Sequence, residues 1–204
     1  MLKKSNQKGL TLIELLITIA IIAILGGGVL VLQFIISQSQ TTAWRSILSV
    51  DDANAAVSSL NRELRNAKEG GDGSYPLVTL DDQQIIFFSD YDFDGSIERI
   101  RYTLAGTELV KGVIEPTAPP VSYPAGSEVV KTLTTFVRNG ANPIFYYYNE
   151  DWPQDSENNP LSGPLRISDT RLIEISLTIN SKLQEPRTDY SIESYAQIRI
   201  LKEN

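Results

Sequence analysis

The sequence predicts an α+β fold: one long N-terminal helix followed by an antiparallel β-sheet head. Three observations predict it. Residues 10–36 form an apolar run interrupted by a single charge, Glu14. Beyond it, Val50, Ala53, Val57, Leu60, Leu64 and Ala67 recur at three- and four-residue steps, the stripe of an amphipathic helix. After Ser74 the apolar residues gather into short runs rich in β-branched and aromatic side chains. A long helix followed by several short strands implies a sheet packed on that helix.

The first element is a leader, residues 1–9, carrying Lys3, Lys4 and Lys8. The apolar run that follows is longer than the roughly 20 residues a helix needs to span a bilayer. It is also longer than the roughly 7–15-residue apolar core of a secretory signal. No A-x-A-like cleavage site closes it. After Glu14 nothing charged appears until Arg45. With lysines on one side only, the short N-terminal tail is expected in the cytoplasm and the rest outside, across one membrane span. Glu14 is expensive there, at roughly +2.5 to +3.5 kcal/mol for an acidic residue at a helix centre. Near the cytoplasmic end it can also snorkel to the interface, and a plain single-pass anchor is the bland reading.

Gly26-Gly27-Gly28 lies inside the run, and each Gly costs about 1 kcal/mol against Ala. It reads either as close packing through small residues or as a point that loosens when the helix leaves lipid. Residues 37–70 are expected to continue the helix as an amphipathic spine. Trp44, Ile47 and Leu48 extend its stripe, and Asp51, Asp52, Asn61, Arg62, Arg65 and Lys68 lie off it. Gly70-Gly71-Asp72-Gly73 is the expected stop. Residues 71–204 are the head, with strands expected at 84–88, 97–104, 108–113, 129–138, 144–148, 172–179 and 195–201. Two Pro-rich stretches, 115–126 and 149–164, read as loops. Such loops carry recognition or are mere surface, and Trp152 is the residue in them best suited to a partner contact.

Composition narrows the chemistry. The chain has no Cys and no His. Thiolate nucleophiles, disulfides, the commonest general base and the commonest transition-metal ligand are therefore all absent. No enzyme is expected. The net charge of −7 argues against nucleic acid. It favours cations instead. Asp90, Asp92 and Asp94 alternate before Gly95, with Ser96 and Glu98 following. That is the opening of an EF-hand-like calcium loop, in which the three aspartates, the Ser96 carbonyl and Glu98 would be ligands. Arg101 stands where a full loop has its bidentate Glu. The flanks read as strands, so the same residues also fit a tight Asp-Gly hairpin turn. No cofactor is required, and Ca²⁺ is the one candidate.

The segment Lys8-Gly9-Leu10-Thr11-Leu12-Ile13-Glu14, with its apolar continuation to Leu25, resembles the class III signal of type IV prepilins and of the pseudopilins of type II secretion. The resemblance implies a pilin-like fold. It also implies cleavage after Gly9 by a prepilin peptidase and methylation of the new N-terminus at Leu10. Many members have Phe where this chain has Leu10. Glu14 would pair with the Leu10 amine of a neighbouring subunit, since two opposite buried charges offset each other only when close. Partners would be other pilins or pseudopilins and the inner-membrane assembly platform. The chain would first be an inner-membrane protein and then part of a filament outside, with a position at its tip allowed. The stretch from Leu60 to Ala67 is similar to J-type minor pseudopilins and PilW-like minor pilins, as are Pro143-Ile144-Phe145-Tyr146-Tyr147-Tyr148, Arg171-Leu172-Ile173-Glu174-Ile175 and Ile198-Arg199-Ile200. The alternative function is a membrane-anchored extracellular binding module, or adhesin, that uses the head loops.

Overall fold

The computed structural model describes residues 11–163, 165–180 and 189–199. The chain divides into two units, Met1–Trp44 and Arg45–Asn204. Helix α1, Leu12–Arg65, contributes residues to both. In the first unit the segment Leu12–Gln38 is long and apolar enough to cross a membrane. At about 1.5 Å per residue it measures about 40 Å. Every described side chain in it is exposed, and the helix runs unbroken through Gly26, Gly27 and Gly28.

In the second unit α1 buries Ala53, Val57, Leu60 and Leu64 of the predicted stripe, with Ala56 beside them; Val50 is partly buried against the same core, and Ala67 joins just beyond the helix end. The helix stops at Arg65, ahead of the expected glycines. Its end is set by pairing. Ala67 forms a bridge with Ser89, and the Lys68 N–H donates to the Phe88 carbonyl at 3.0 Å. Arg62 and Arg65 in the last turn suit the negative end of the helix dipole.

The head holds two antiparallel sheets where the sequence suggested one. The first is a five-stranded meander of β1 (Leu77–Leu80), β2 (Gln84–Ser89), β3 (Glu98–Ala105), β4 (Glu108–Ile114) and β5 (Val129–Thr134), paired in that order. The second joins β6 (Phe145–Tyr148), β7 (Leu172–Ile179) and β8 (Tyr190–Gln197). A short helix, α2 (Leu165–Asp169), precedes β7. The expected strand 129–138 is divided by a corner. Phe136 takes φ 63°. Beyond it Val137 bridges to Ile179 of the second sheet, and Arg138 N–H donates to the Thr178 carbonyl at 2.7 Å. Strand β1 was not expected; it is four residues between Pro76 and Asp81, too short to alternate visibly. Strand β8 begins five residues earlier than expected, and residues 200 and 201 lie outside the described residues.

One apolar core joins the stripe of α1 to both sheets, through Phe87, Ile100 and Tyr102 on one side and Phe145, Tyr147 and Ile175 on the other. A charge is set into it. Glu63 is 2% exposed. Its Oε1 accepts from Lys111 Nζ at 2.7 Å and from the Ser59 hydroxyl at 2.8 Å. Its Oε2 accepts from the Tyr102 hydroxyl at 2.8 Å. Burial, and then the Glu63 carboxylate, push the Tyr102 hydroxyl well above its usual range, which keeps it a donor. The ammonium of Lys111 also lies 4.3 Å from the centroid of the Tyr91 ring. Helix and five-stranded sheet are thus joined by a buried ion pair with all its near oxygens satisfied.

Removing one partner of such a pair leaves a buried charge and costs about 3–5 kcal/mol, whereas replacing both by apolar or neutral groups is often nearly neutral. Lys111→Met should therefore destabilise the protein by about that amount, while Glu63→Gln combined with Lys111→Met should recover most of the loss. Denaturant unfolding of the full-length chain in detergent, followed by near-ultraviolet dichroism, measures both; equal losses in the single and double variants would contradict the buried pair.

Candidate functional site

The helix start carries the first group of predicted residues. Gly9 and Leu10 lie outside the described residues. Thr11 immediately precedes α1, and Glu14 is the third residue of the helix. The Thr11 N–H donates to Glu14 Oε2 at 2.9 Å, and the Thr11 hydroxyl donates to the same oxygen at 3.0 Å. The Glu14 N–H points back to Thr11 Oγ1 at 3.4 Å. This reciprocal pair is a capping box, which satisfies backbone donors that a helix start leaves open. In lipid no water would satisfy them. The Thr-x-x-Glu spacing that signals the box is present in the sequence. The charge of Glu14 within an apolar run is the stronger signal and masks it. Thr18, one turn on, returns its hydroxyl to the carbonyls of Glu14 at 2.9 Å and Leu15 at 2.8 Å, so it too adds no unsatisfied donor.

The acidic turn between β2 and β3 is the second group. Along β3 the buried residues are Glu98, Ile100, Tyr102 and Leu104, so Glu98 sits in phase with the inward face. It is 0% exposed. Asp90 follows the last residue of β2 and is 9% exposed. Together with exposed Asp92 these residues bring three carboxylate oxygens within 4.8 Å of one another. Of the four predicted carboxylate ligands, three lie together in this way. Asp94 turns away: its Oδ1 accepts the Ser96 N–H at 2.7 Å, while Asp92 Oδ1 accepts the Asp94 N–H at 3.2 Å. Positive φ at Phe93 (65°) and Gly95 (94°) lets the loop reverse in this space.

The charges in this turn are poorly compensated. Glu98 Oε2 accepts the Tyr91 N–H at 3.2 Å. Glu98 Oε1 and Asp90 Oδ1 are buried and have no hydrogen-bond partner among the described residues. Lys68 approaches Asp90 Oδ2 only to 4.0 Å. Burial first, then Glu115, Asp92 and Asp94, push the Glu98 carboxyl up to about 7, against a lowering by the Tyr91 N–H. Glu115 is raised for the same reasons, burial and the two aspartates. Arg101, the residue in the twelfth position of the loop, takes no part. It faces the other side of the sheet and holds Glu128 by two bonds of 2.8 and 3.0 Å. Gly112 of β4 lies between them; a Cβ there would come within 2.6 Å of the Glu128 Cδ.

The two Pro-rich loops are better tied down than their composition suggests. Tyr123 of the first packs on Phe88, with ring centroids 4.9 Å apart. Its hydroxyl donates to the Ile97 carbonyl at 2.7 Å and accepts the Gly71 N–H at 2.9 Å. In the second, Asn159 braces the loop through the Asn149 N–H, the Asn149 side chain and the Asp155 carbonyl at 2.8–3.0 Å. Trp152 is half-buried against Tyr148, with ring centroids 4.6 Å apart.

Residues 4–30 match the model of the prokaryotic N-terminal methylation motif. Among solved structures, a chain of the GspK–GspI–GspJ complex from the type 2 secretion system of enterotoxigenic Escherichia coli is similar over 74% of this chain and 97% of its own, with 11% identity and a TM-score of 0.44. No curated protein sequence matches the chain. The N-terminus of this chain thus carries a prokaryotic N-terminal methylation motif that runs into helix α1.

Proposed function

We propose that the chain is a minor pilin or pseudopilin, a structural subunit and not an enzyme. The observation that supports this most is the methylation motif at residues 4–30, continuous with an apolar helix whose described side chains are exposed from Thr11 to Gln38. A surface of that kind is left only where lipid or other copies of the same helix cover it. In this reading the subunit waits in the inner membrane with its N-terminus in the cytoplasm. A prepilin peptidase hydrolyses the Gly9–Leu10 bond, and the new amine on Leu10 is methylated. The assembly platform then moves the subunit into a type IV pilus or a type II secretion pseudopilus, where α1 packs against its neighbours.

The chemistry of the cut gives Glu14 a second task. An α-amine titrates near roughly 7.7–8.0 and is mostly cationic at neutral pH. Carried out of water, it needs an anion close by. Glu14 of an adjacent subunit is the acidic residue at the matching depth, as no other carboxylate occurs in residues 10–36. The pair would set the axial register of one subunit against the next.

Two measurements test this reading. Co-expression with a prepilin peptidase should give a mature chain whose intact mass begins at N-methyl-Leu10; an intact Met1 terminus would reject it. The second separates charge from capping. Gln at the third helix position still completes a capping box but carries no charge. Glu14→Gln should therefore insert into the membrane normally and fail to enter filaments, as Glu14→Val should. Filament incorporation of Glu14→Gln at the native level, with loss only in Glu14→Val, would assign Glu14 to capping alone.

A further inference from the structure

We infer that the turn between β2 and β3 binds one calcium ion through Asp90, Asp92 and Glu98. Glu98 is fully buried and still presents an oxygen, Oε1, with no hydrogen-bond partner among the described residues. Asp90 presents a second such oxygen, Oδ1, and its carboxylate and that of Glu98 each bring an oxygen within 4.8 Å of the other. A buried carboxylate oxygen without a donor is costly, and two carboxylates this close repel. A cation between them removes both penalties together. Neighbouring cations do not serve. Lys68 reaches only the other oxygen of Asp90, and Arg101 is committed to Glu128 on the opposite face.

The donor set selects the ion. All three ligands are hard carboxylate oxygens, and the chain has no His or Cys to favour a softer metal. Ca²⁺ binds oxygens at roughly 2.3–2.6 Å, so two oxygens on one ion lie no more than about 5 Å apart. The carboxylates meet that limit, at 4.8 Å or less. Mg²⁺ keeps much of its water and suits a wet site less enclosed than this one, where Glu98 and Asp90 have left solvent. Asp92 is the exposed member, and its side of the site admits the waters that complete the shell. The ligands come from the end of β2, the loop and the start of β3, so the ion holds the hairpin shut. Through the Tyr91 N–H on Glu98, and the Tyr91 ring against Lys111, it also steadies the buried pair that joins helix to sheet.

The test is calorimetric titration of calcium chloride into the full-length chain in detergent after chelator treatment. One ion per chain is expected, with a dissociation constant on the order of 10⁻⁴–10⁻³ M, the range of extracellular modules. Asp92→Asn, an exposed position that leaves the core untouched, should weaken binding at least tenfold, as should Glu98→Gln. Glu150→Gln, an exposed carboxylate on another loop, should bind like the unaltered chain. Absence of saturable binding below about 10 mM, or unchanged affinity in Asp92→Asn, overturns the site. Magnesium binding as tight as calcium overturns the choice of ion.

Discussion

The buried carboxylate of Glu63 is the constraint around which the head is arranged. It sits on the apolar face of α1, where a charge would otherwise be excluded. Its three partners come from one turn earlier on the helix, from β3 and from β4. Apolar packing alone leaves a helix free to slide or rotate by small steps on a sheet. A charge that must meet Lys111 and Tyr102 admits one position. The pair adds little net stability over an apolar replacement. What it supplies is a unique docking of α1 on the five-stranded sheet, in a head that has no disulfide to fix the same geometry.

Much of this was legible in the sequence, and the parts that were not share a cause. The stripe from Ala53 to Leu64 reads directly because its steps follow the helix period. Strands β3 and β7 read directly because both segments are rich in β-forming side chains, and their burial alternates in the fold. Glu63 was hidden by its charge, although three residues after Leu60 and four before Ala67 is a position inside the stripe. Glu98 was legible as an acidic residue of the turn, but its depth follows from being in phase with Ile100 and Tyr102. The division into two sheets depends on a backbone corner at Phe136, whose left-handed conformation no composition signals. For Glu63 and Glu98 the position in the local pattern was visible, and long-range packing decided its meaning.

The two units put different demands on the same chain. In the first, no described side chain is buried within the unit, and backbone groups at the helix start are closed internally by Thr11 and Glu14. In the second, α1 is amphipathic and finds its partners within the fold. The filament role proposed above would call for both: one part that gains its contacts only by assembly, and one that is complete beforehand. The loops support the same division. Tyr123 fastens the first to the head and Asn159 braces the second from within, so that both end as structured surface and not as loose chain.

The cap at the start of α1 has a consequence for how one carboxylate can serve two masters. Both bonds from Thr11 converge on Glu14 Oε2. Among the described residues, the cap makes no bond to Oε1. In the filament proposed above, a subunit that bound a neighbour's amine through Oε1 would not have to release its own helix end. The contact would form on a side chain already held in place, at little further loss of rotamer freedom. Such a joint would be rigid from the moment it closed, and its angle would pass from one subunit to the next along the polymer.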